Sequence, residues 1–209
     1  MKLRFAPTAP GQPALGGSLA ASLGAAALLL AATAGAVQGQ AAAAAPRSIE
    51  RSEKAYPIPN LTVQGADGRR LALAQALQDG RPVVMTFMFS SCTTVCPISN
   101  QTLSIFEQML GADSKRVNIV SISIDPDHDS VQRLADHARR TGAVGSFFTS
   151  DPATSEAVQR SFDAWRGDKM NHQPVFLIRR SAGTPWLRLD GQITPRELMA
   201  EFRQRMSTR

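Results

Sequence analysis

Both cysteines of the 209-residue chain lie in one short segment, Cys92-Thr93-Thr94-Val95-Cys96. Thiols at this spacing can close a disulfide, and as thiolates they bind soft metal ions such as Cu(I) or Zn²⁺ in preference to Mg²⁺ or Ca²⁺. A disulfide across so short a loop would stabilise a domain only a little, because stabilisation by loop closure grows with loop length. We therefore interpret Cys92 and Cys96 as chemically active, as a redox pair or as metal ligands, rather than as a structural crosslink.

The cysteines follow a predicted buried strand and precede a predicted helix. Residues 82–89 are almost continuously apolar, which is typical of a central strand that is buried on both faces. Pro97 favours the first turn of a helix, and the free N–H groups at that end of a helix stabilise a thiolate. A central strand, then a cysteine motif, then a helix is the core arrangement of a thioredoxin-like fold.

The other elements predict an α/β domain with a central mixed sheet flanked by helices. Turn residues between two short apolar segments predict an N-terminal β-hairpin within residues 58–71. Asp129 and Gln132 have the spacing of a capping box, which would begin the helix that follows. Further strands are predicted at 117–124, 147–149, 175–179 and 186–189, and helices at 97–110, 130–140, 152–162 and from Pro195. This alternation favours parallel crossovers in the middle of the chain.

A metal ion held by two thiolates needs a further ligand from elsewhere in the fold, and the chain offers three histidines. His128 and His137 lie among charged residues, and we interpret both as solvated surface side chains. His172 lies in the loop that enters the strand beginning at Val175. In a thioredoxin-like fold that loop faces the cysteine motif, so His172 is the candidate third ligand, with a surface or capping role as the alternative.

Residues 1–46 have the pattern of an export leader rather than of a folded domain. Lys2 and Arg4 form a short basic region, and no further charged side chain occurs before Arg47. An Ala- and Leu-rich run and small residues suited to cleavage lie between them, which indicates a secretory signal. The uncharged run is also nearly long enough to span a bilayer, so a membrane anchor is the alternative. Either reading predicts that residues 47–209 form an exported domain, periplasmic or anchored facing the periplasm.

The charge pattern excludes one class of partner. The formal net charge is +6, from 23 basic and 17 acidic side chains, and the charges are scattered along the chain. No block of like charge is long enough to form a nucleic-acid-binding arm, so no nucleic-acid partner is predicted.

Three segments together resemble the Sco/SenC family. They are Phe89-Ser90-Ser91-Cys92-Thr93-Thr94-Val95-Cys96-Pro97, Ser123-Ile124-Asp125-Pro126-Asp127-His128-Asp129, and Asn171-His172 with the apolar strand that follows. The resemblance runs from about residue 56 to 202. It implies a thioredoxin-like fold, a copper ion bound by Cys92, Cys96 and His172, and a role in assembling the binuclear copper (CuA) centre of cytochrome c oxidase. The implied partner is the copper-bearing subunit of the oxidase or another copper or thiol protein.

The chain departs from the pattern of the family around its ligands. Asn171 stands where many members have an aspartate, and Thr93-Thr94-Val95 lacks the acidic residue common between the cysteines. The Gln173–Pro174 pair is closer to the loop of ordinary thioredoxins, which suggests a cis peptide bond. Two functions remain open: a copper metallochaperone, which needs Cys92, Cys96 and His172, and a thiol–disulfide oxidoreductase, which needs only the redox-active cysteine pair. Enzymatic activity is therefore left undecided by the sequence.

Overall fold

The structure is a computed structural model, and it describes residues 49–207. The strands in that range are β1 Glu50–Lys54, β2 Thr62–Gly65, β3 Arg70–Ala72, β4 Val83–Met88, β5 Asn118–Ser123, β6 Ser146–Thr149, β7 Val175–Arg179 and β8 Trp186–Asp190. The helices are α1 Leu73–Leu77, α2 Val95–Leu110, α3 Val131–Thr141, α4 Pro152–Ser161 and α5 Pro195–Ser207. Two 3₁₀ segments, Gly111–Arg116 and Lys169–Asn171, lie between them.

All eight strands of the described range form one mixed sheet in the order β1-β8-β7-β4-β5-β6-β2-β3. β4, β5 and β6 are parallel, whereas β7 runs antiparallel to β4 and β2 antiparallel to β6. The predicted mixed sheet flanked by helices is confirmed, and β2 pairs antiparallel with β3 as the predicted N-terminal hairpin. The edge strand β1, antiparallel to β8, was not predicted, because its Glu-Arg-Ser-Glu-Lys sequence has no apolar period.

The predicted central strand β4 is buried along its whole length. Successive side chains of a strand point to opposite faces of the sheet, so a strand with helices on both faces must be apolar throughout. Met85 and Phe87 belong to one apolar cluster, and Val84 belongs to a second cluster with Phe106 of α2 and Phe202 of α5. The core on both faces fixes β4 and therefore the segment that follows it.

The strand directions bring three loops to one edge of the sheet. β4 and β5 are parallel, so the loops after Met88 and after Ser123 leave the sheet at the same edge. β7 is antiparallel to β4, and Thr86 pairs with Phe176, so the loop that enters β7 lies at that edge too. Three segments therefore converge at this edge. They are the loop after β4 that carries Cys92 (the cysteine loop), the turn after β5 that contains Asp125 and Pro126 (the Asp-Pro turn), and the loop before β7 that carries His172 (the His172 loop).

Several predictions need correction. Asp129 does not cap α3: Ser130 is the N-cap and accepts from the Arg133 N–H, while the Asp129 side chain is buried. His137 is not a surface residue, because it is only 6% exposed and its Nε2 lies 3.1 Å from the Asn100 side-chain nitrogen.

The Gln173–Pro174 bond, for which the sequence suggested a cis peptide, is trans, as the described residues contain no cis peptide bond. His128 is half-buried and accepts a hydrogen bond from Arg133.

The predicted leader, residues 1–46, lies outside the described residues, and the export prediction stays a prediction. Between residues 49 and 207, every helix is too short or too polar to cross a membrane.

Candidate metal and redox site

The cysteine loop forms a turn that places the Cys92 thiol at the start of α2. α2 begins at Val95, which places Cys96 and Pro97 in its first turn, as predicted from the proline. The Cys92 N–H donates to the Phe89 carbonyl at 3.1 Å, closing the turn after β4. The Cys96 backbone N–H then points at Cys92 Sγ, 3.4 Å away. Cys92 therefore occupies the N-terminal end of α2, where free N–H groups favour negative charge.

Cys92 and Cys96 are not bonded to each other in this structure, and their thiols lie in different environments. Burial raises the pKa of the Cys92 thiol, but hydrogen bonds from the Cys96 side chain and from the Cys96 and Thr94 backbone outweigh it, so the net pKa lies below the usual range. Burial raises the pKa of Cys96 strongly, and its hydrogen bond to Cys92 raises it further. Cys92 is half-buried, whereas Cys96 is 2% exposed. These environments favour reaction at the Cys92 thiol and protection of the Cys96 thiol.

We expect iodoacetamide to alkylate Cys92 of the reduced protein more than about tenfold faster than Cys96, because only thiolate reacts and one pKa unit is a tenfold change in thiolate below the pKa. Peptide mass spectrometry of a time course measures both rates. The same protein unfolded in urea is the control, and there the two rates should converge. Equal rates in the folded protein would contradict the assigned roles.

His172 is placed beside the end of β4 by the sheet. It follows the 3₁₀ turn Lys169–Asn171 in the loop that enters β7, and it is 7% exposed. Its Nε2 lies 3.1 Å from the Phe87 carbonyl oxygen, and a carbonyl can only accept, so Nε2 carries the proton and Nδ1 holds the free lone pair. Burial lowers the pKa of His172, which favours the neutral imidazole that a metal ion requires.

The predicted ligands share one edge of the sheet but do not form a ready-made trio. Among residues 49–207, no three His, Cys, Asp or Glu side chains are grouped closely enough to hold a metal ion. Cys92 and Cys96 contact each other through the Cys96 N–H, whereas the described contact of the His172 ring is with Phe87. The structure therefore brings the two thiols together and leaves the imidazole alongside.

One residue of the site was missed by sequence reasoning. Asp129 is fully buried, and its carboxylate accepts the Ser90 N–H at 3.0 Å, the Ser90 hydroxyl, and the Ser123 hydroxyl at 2.6 Å. Ser90 lies two residues before Cys92, so Asp129 fixes the start of the cysteine loop. The available signal was the position of its Asp-Pro turn after β5, the parallel neighbour of β4.

Comparisons with known proteins agree with this architecture. A protein-family model described as SCO1/SenC matches residues 64–207. The SCO1 protein homolog of Bacillus subtilis is 30% identical over 79 residues, which cover 38% of this chain. The alignment spans only 40% of that relative.

Solved structures of Sco proteins share the fold. BsSco, a member of the Sco family of cytochrome c oxidase assembly proteins, superposes with a TM-score of 0.62 at 22% identity, over 76% of this chain and 98% of its own. Bradyrhizobium japonicum ScoI, with copper bound, gives a TM-score of 0.57 at 20% identity, over 69% and 96% of the two chains. These matches confirm the predicted thioredoxin-like fold. Because the family model covers more than half of the sequence, the chain belongs to the SCO1/SenC family.

Proposed function

We propose that this chain is an exported copper-binding assembly factor that holds copper through Cys92, Cys96 and His172 and assists assembly of the CuA centre of cytochrome c oxidase. Family membership supports the proposal, as do the copper bound to B. japonicum ScoI and the description of BsSco as a member of an oxidase assembly family. The leader predicted from the sequence supports a location outside the cytosol.

The observation that carries the proposal is the position of His172. The antiparallel β4–β7 pairing fixes its loop next to the cysteine loop, and the Phe87 hydrogen bond leaves Nδ1 available. Two thiolates and one neutral imidazole form a soft ligand set, which suits Cu(I) better than hard cations. Completing the set requires a shift of the His172 turn or of the cysteine loop, since the three side chains are not grouped in this structure.

Copper binding would also displace protons from the thiols. A metal ion binds thiolate, so binding must remove the proton that burial holds on Cys96. Exchange of the two thiolates with a disulfide of a partner protein would oxidise Cys92 and Cys96 to a disulfide and reduce the partner's disulfide to two thiolates, which would remove both sulfur ligands and release the metal. The same pair can therefore load and unload copper.

We expect the reduced protein to bind one Cu(I) per chain under anaerobic conditions, and His172→Ala to weaken binding by at least about tenfold, the lower bound for loss of even an outer-shell partner. Titration against a chromophoric Cu(I) chelator measures the affinity. His128→Ala is the matched control, because it removes a histidine that contacts Arg133 instead of the site. Unchanged affinity for His172→Ala would overturn the proposed ligand set.

A second candidate function, thiol–disulfide exchange, is favoured by the different environments of the two thiols. Cys92 thiolate would attack a target disulfide, forming a mixed disulfide and releasing one target thiolate. Cys96 would then lose its proton and attack Cys92 Sγ, closing the disulfide of this chain and releasing the second target thiolate. Two electrons pass to the target.

The two functions differ in their need for His172. If exchange with a disulfide-linked peptide were fast in wild type, unchanged in His172→Ala and lost in Cys92→Ser, while copper bound equally to wild type and His172→Ala, the chain would be an oxidoreductase. A copper affinity that depends on His172 supports the assembly factor instead.

A further inference from the structure

Lys169 connects the turn that carries His172 to the surroundings of the cysteine loop. Its Nζ donates to Asp125 Oδ2 at 2.6 Å and lies 5.7 Å from the centre of the Phe89 ring. Asp125 follows β5, and Phe89 is the residue between β4 and Ser90. A cation at that distance from an aromatic ring is attracted to it. The Lys169 side chain thus contacts Asp125 of the Asp-Pro turn and Phe89 at the start of the cysteine loop.

The turn transmits the position of Lys169 to His172. Lys169–Asn171 is a 3₁₀ turn, and the His172 N–H donates to the Lys169 carbonyl at 3.0 Å. Asp168 caps the turn by accepting the Met170 N–H at 2.8 Å. These bonds leave little freedom between the backbone of Lys169 and that of His172. A restraint on the Lys169 side chain is therefore also a restraint on the imidazole.

The acidic partner of Lys169 belongs to the network that holds the cysteine loop. The Asp125 N–H donates to the Ser123 hydroxyl at 3.1 Å, and that hydroxyl donates to Asp129 at 2.6 Å. Asp129 in turn accepts the Ser90 N–H, next to the cysteine loop. The His172 turn is thus attached to the segment from Asp125 to Asp129 through Lys169, and the cysteine loop is attached to the same segment through Ser90.

We propose that the Lys169–Asp125 ion pair is the contact that positions His172 for copper, and that Lys169 is a positioning residue of the site. The Asp125 side chain is 9% exposed and the Lys169 side chain 39%, so this pair is less screened by water than the exposed ion pairs of the surface. The imidazole and the thiols close on each other by a shift of the His172 turn or of the cysteine loop, and a turn tied to the cysteine loop keeps the effective concentration of the imidazole there high. This inference rests on the proposed copper function.

The test is a double-mutant cycle in Cu(I) affinity with Lys169→Ala, His172→Ala and the double variant. We expect Lys169→Ala to weaken binding roughly tenfold, as loss of an outer-shell partner does, and Lys169→Arg to restore most of the affinity. If Lys169 acts through His172, adding Lys169→Ala to His172→Ala changes nothing further. A purely structural role would weaken both backgrounds equally.

Arg205→Ala is the control for loss of an ion pair, because Arg205 pairs with Glu53 across α5 and β1, which carry no candidate ligand. Wild-type affinity in Lys169→Ala, alongside weak binding in His172→Ala, would overturn the inference and leave the proposed function standing. An additive loss in the double variant would also overturn it. Unchanged affinity in His172→Ala would overturn the proposed function and this inference together.

Discussion

Replacement of either cysteine by serine is expected to remove high-affinity copper binding. Cys92→Ser and Cys96→Ser each exchange a soft thiolate for a hydroxyl that stays protonated at neutral pH, so one of the two sulfur ligands is lost. We expect each variant to lose more than about 100-fold in Cu(I) affinity, because a lost ligand costs more than the 10–100-fold typical of an outer-shell partner. Chelator competition with the reduced protein measures this loss.

The two variants also differ in what else they change. Cys96 is buried in the core cluster, so its variant needs a urea unfolding curve to show that the fold persists. Cys92 is half-buried, and its variant should keep the stability of wild type. Thr93→Ala, an exposed position in the same loop, is the matched control and should bind copper normally. Affinity within a few-fold of wild type in either serine variant would exclude that cysteine as a ligand.

Asp129→Ala is expected to produce the largest loss of stability outside the apolar core. The change leaves the Ser90 N–H and two hydroxyls, of Ser90 and Ser123, without their buried acceptor. Hydrogen bonds to a charged group contribute about 1.5–3 kcal/mol each, and partial relaxation would reduce the sum, so we expect a loss of about 3 kcal/mol. Urea denaturation monitored by fluorescence gives the free energy of unfolding.

Asp127→Ala is the control for this prediction, because Asp127 lies in the same turn and is exposed. Its stability should change by less than about 0.5 kcal/mol, as for other surface substitutions. Asp129→Asn keeps the size of the side chain and one acceptor oxygen, so it should fall between alanine and wild type. A stability for Asp129→Ala equal to that of Asp127→Ala would show that the buried carboxylate does not hold the cysteine loop.

The strands and helices that carry the cysteines could be predicted because local patterns decide them. β4 is an unbroken apolar run, and Pro97 marks the first turn of α2. The sequence could predict that the loop carrying His172 lies at the same edge of the sheet as the cysteine loop, because the direction of β7 decides at which edge that loop enters the sheet. The hydrogen bond to the Phe87 carbonyl that orients the ring could not be predicted, since the two residues are 85 positions apart in the sequence.

The polar groups behind the site were misread because sequence spacing does not reveal burial. Asp129 has the spacing of a helix cap, yet it lies at 0% exposure and binds Ser90. His137 stands among charged neighbours in sequence, but the helix turns it towards Asn100 and Phe147. The Lys169–Asp125 pair joins residues 44 positions apart and has no local signature.

The most direct test of the copper site is X-ray absorption at the copper K-edge on the Cu(I) protein, with His172→Ala beside wild type. Two sulfur scatterers from Cys92 and Cys96 and one imidazole from His172 are expected in wild type. The imidazole contribution should disappear in His172→Ala while both sulfurs remain. A wild-type spectrum without imidazole, or one unchanged by His172→Ala, would contradict the assignment of His172 as the third ligand.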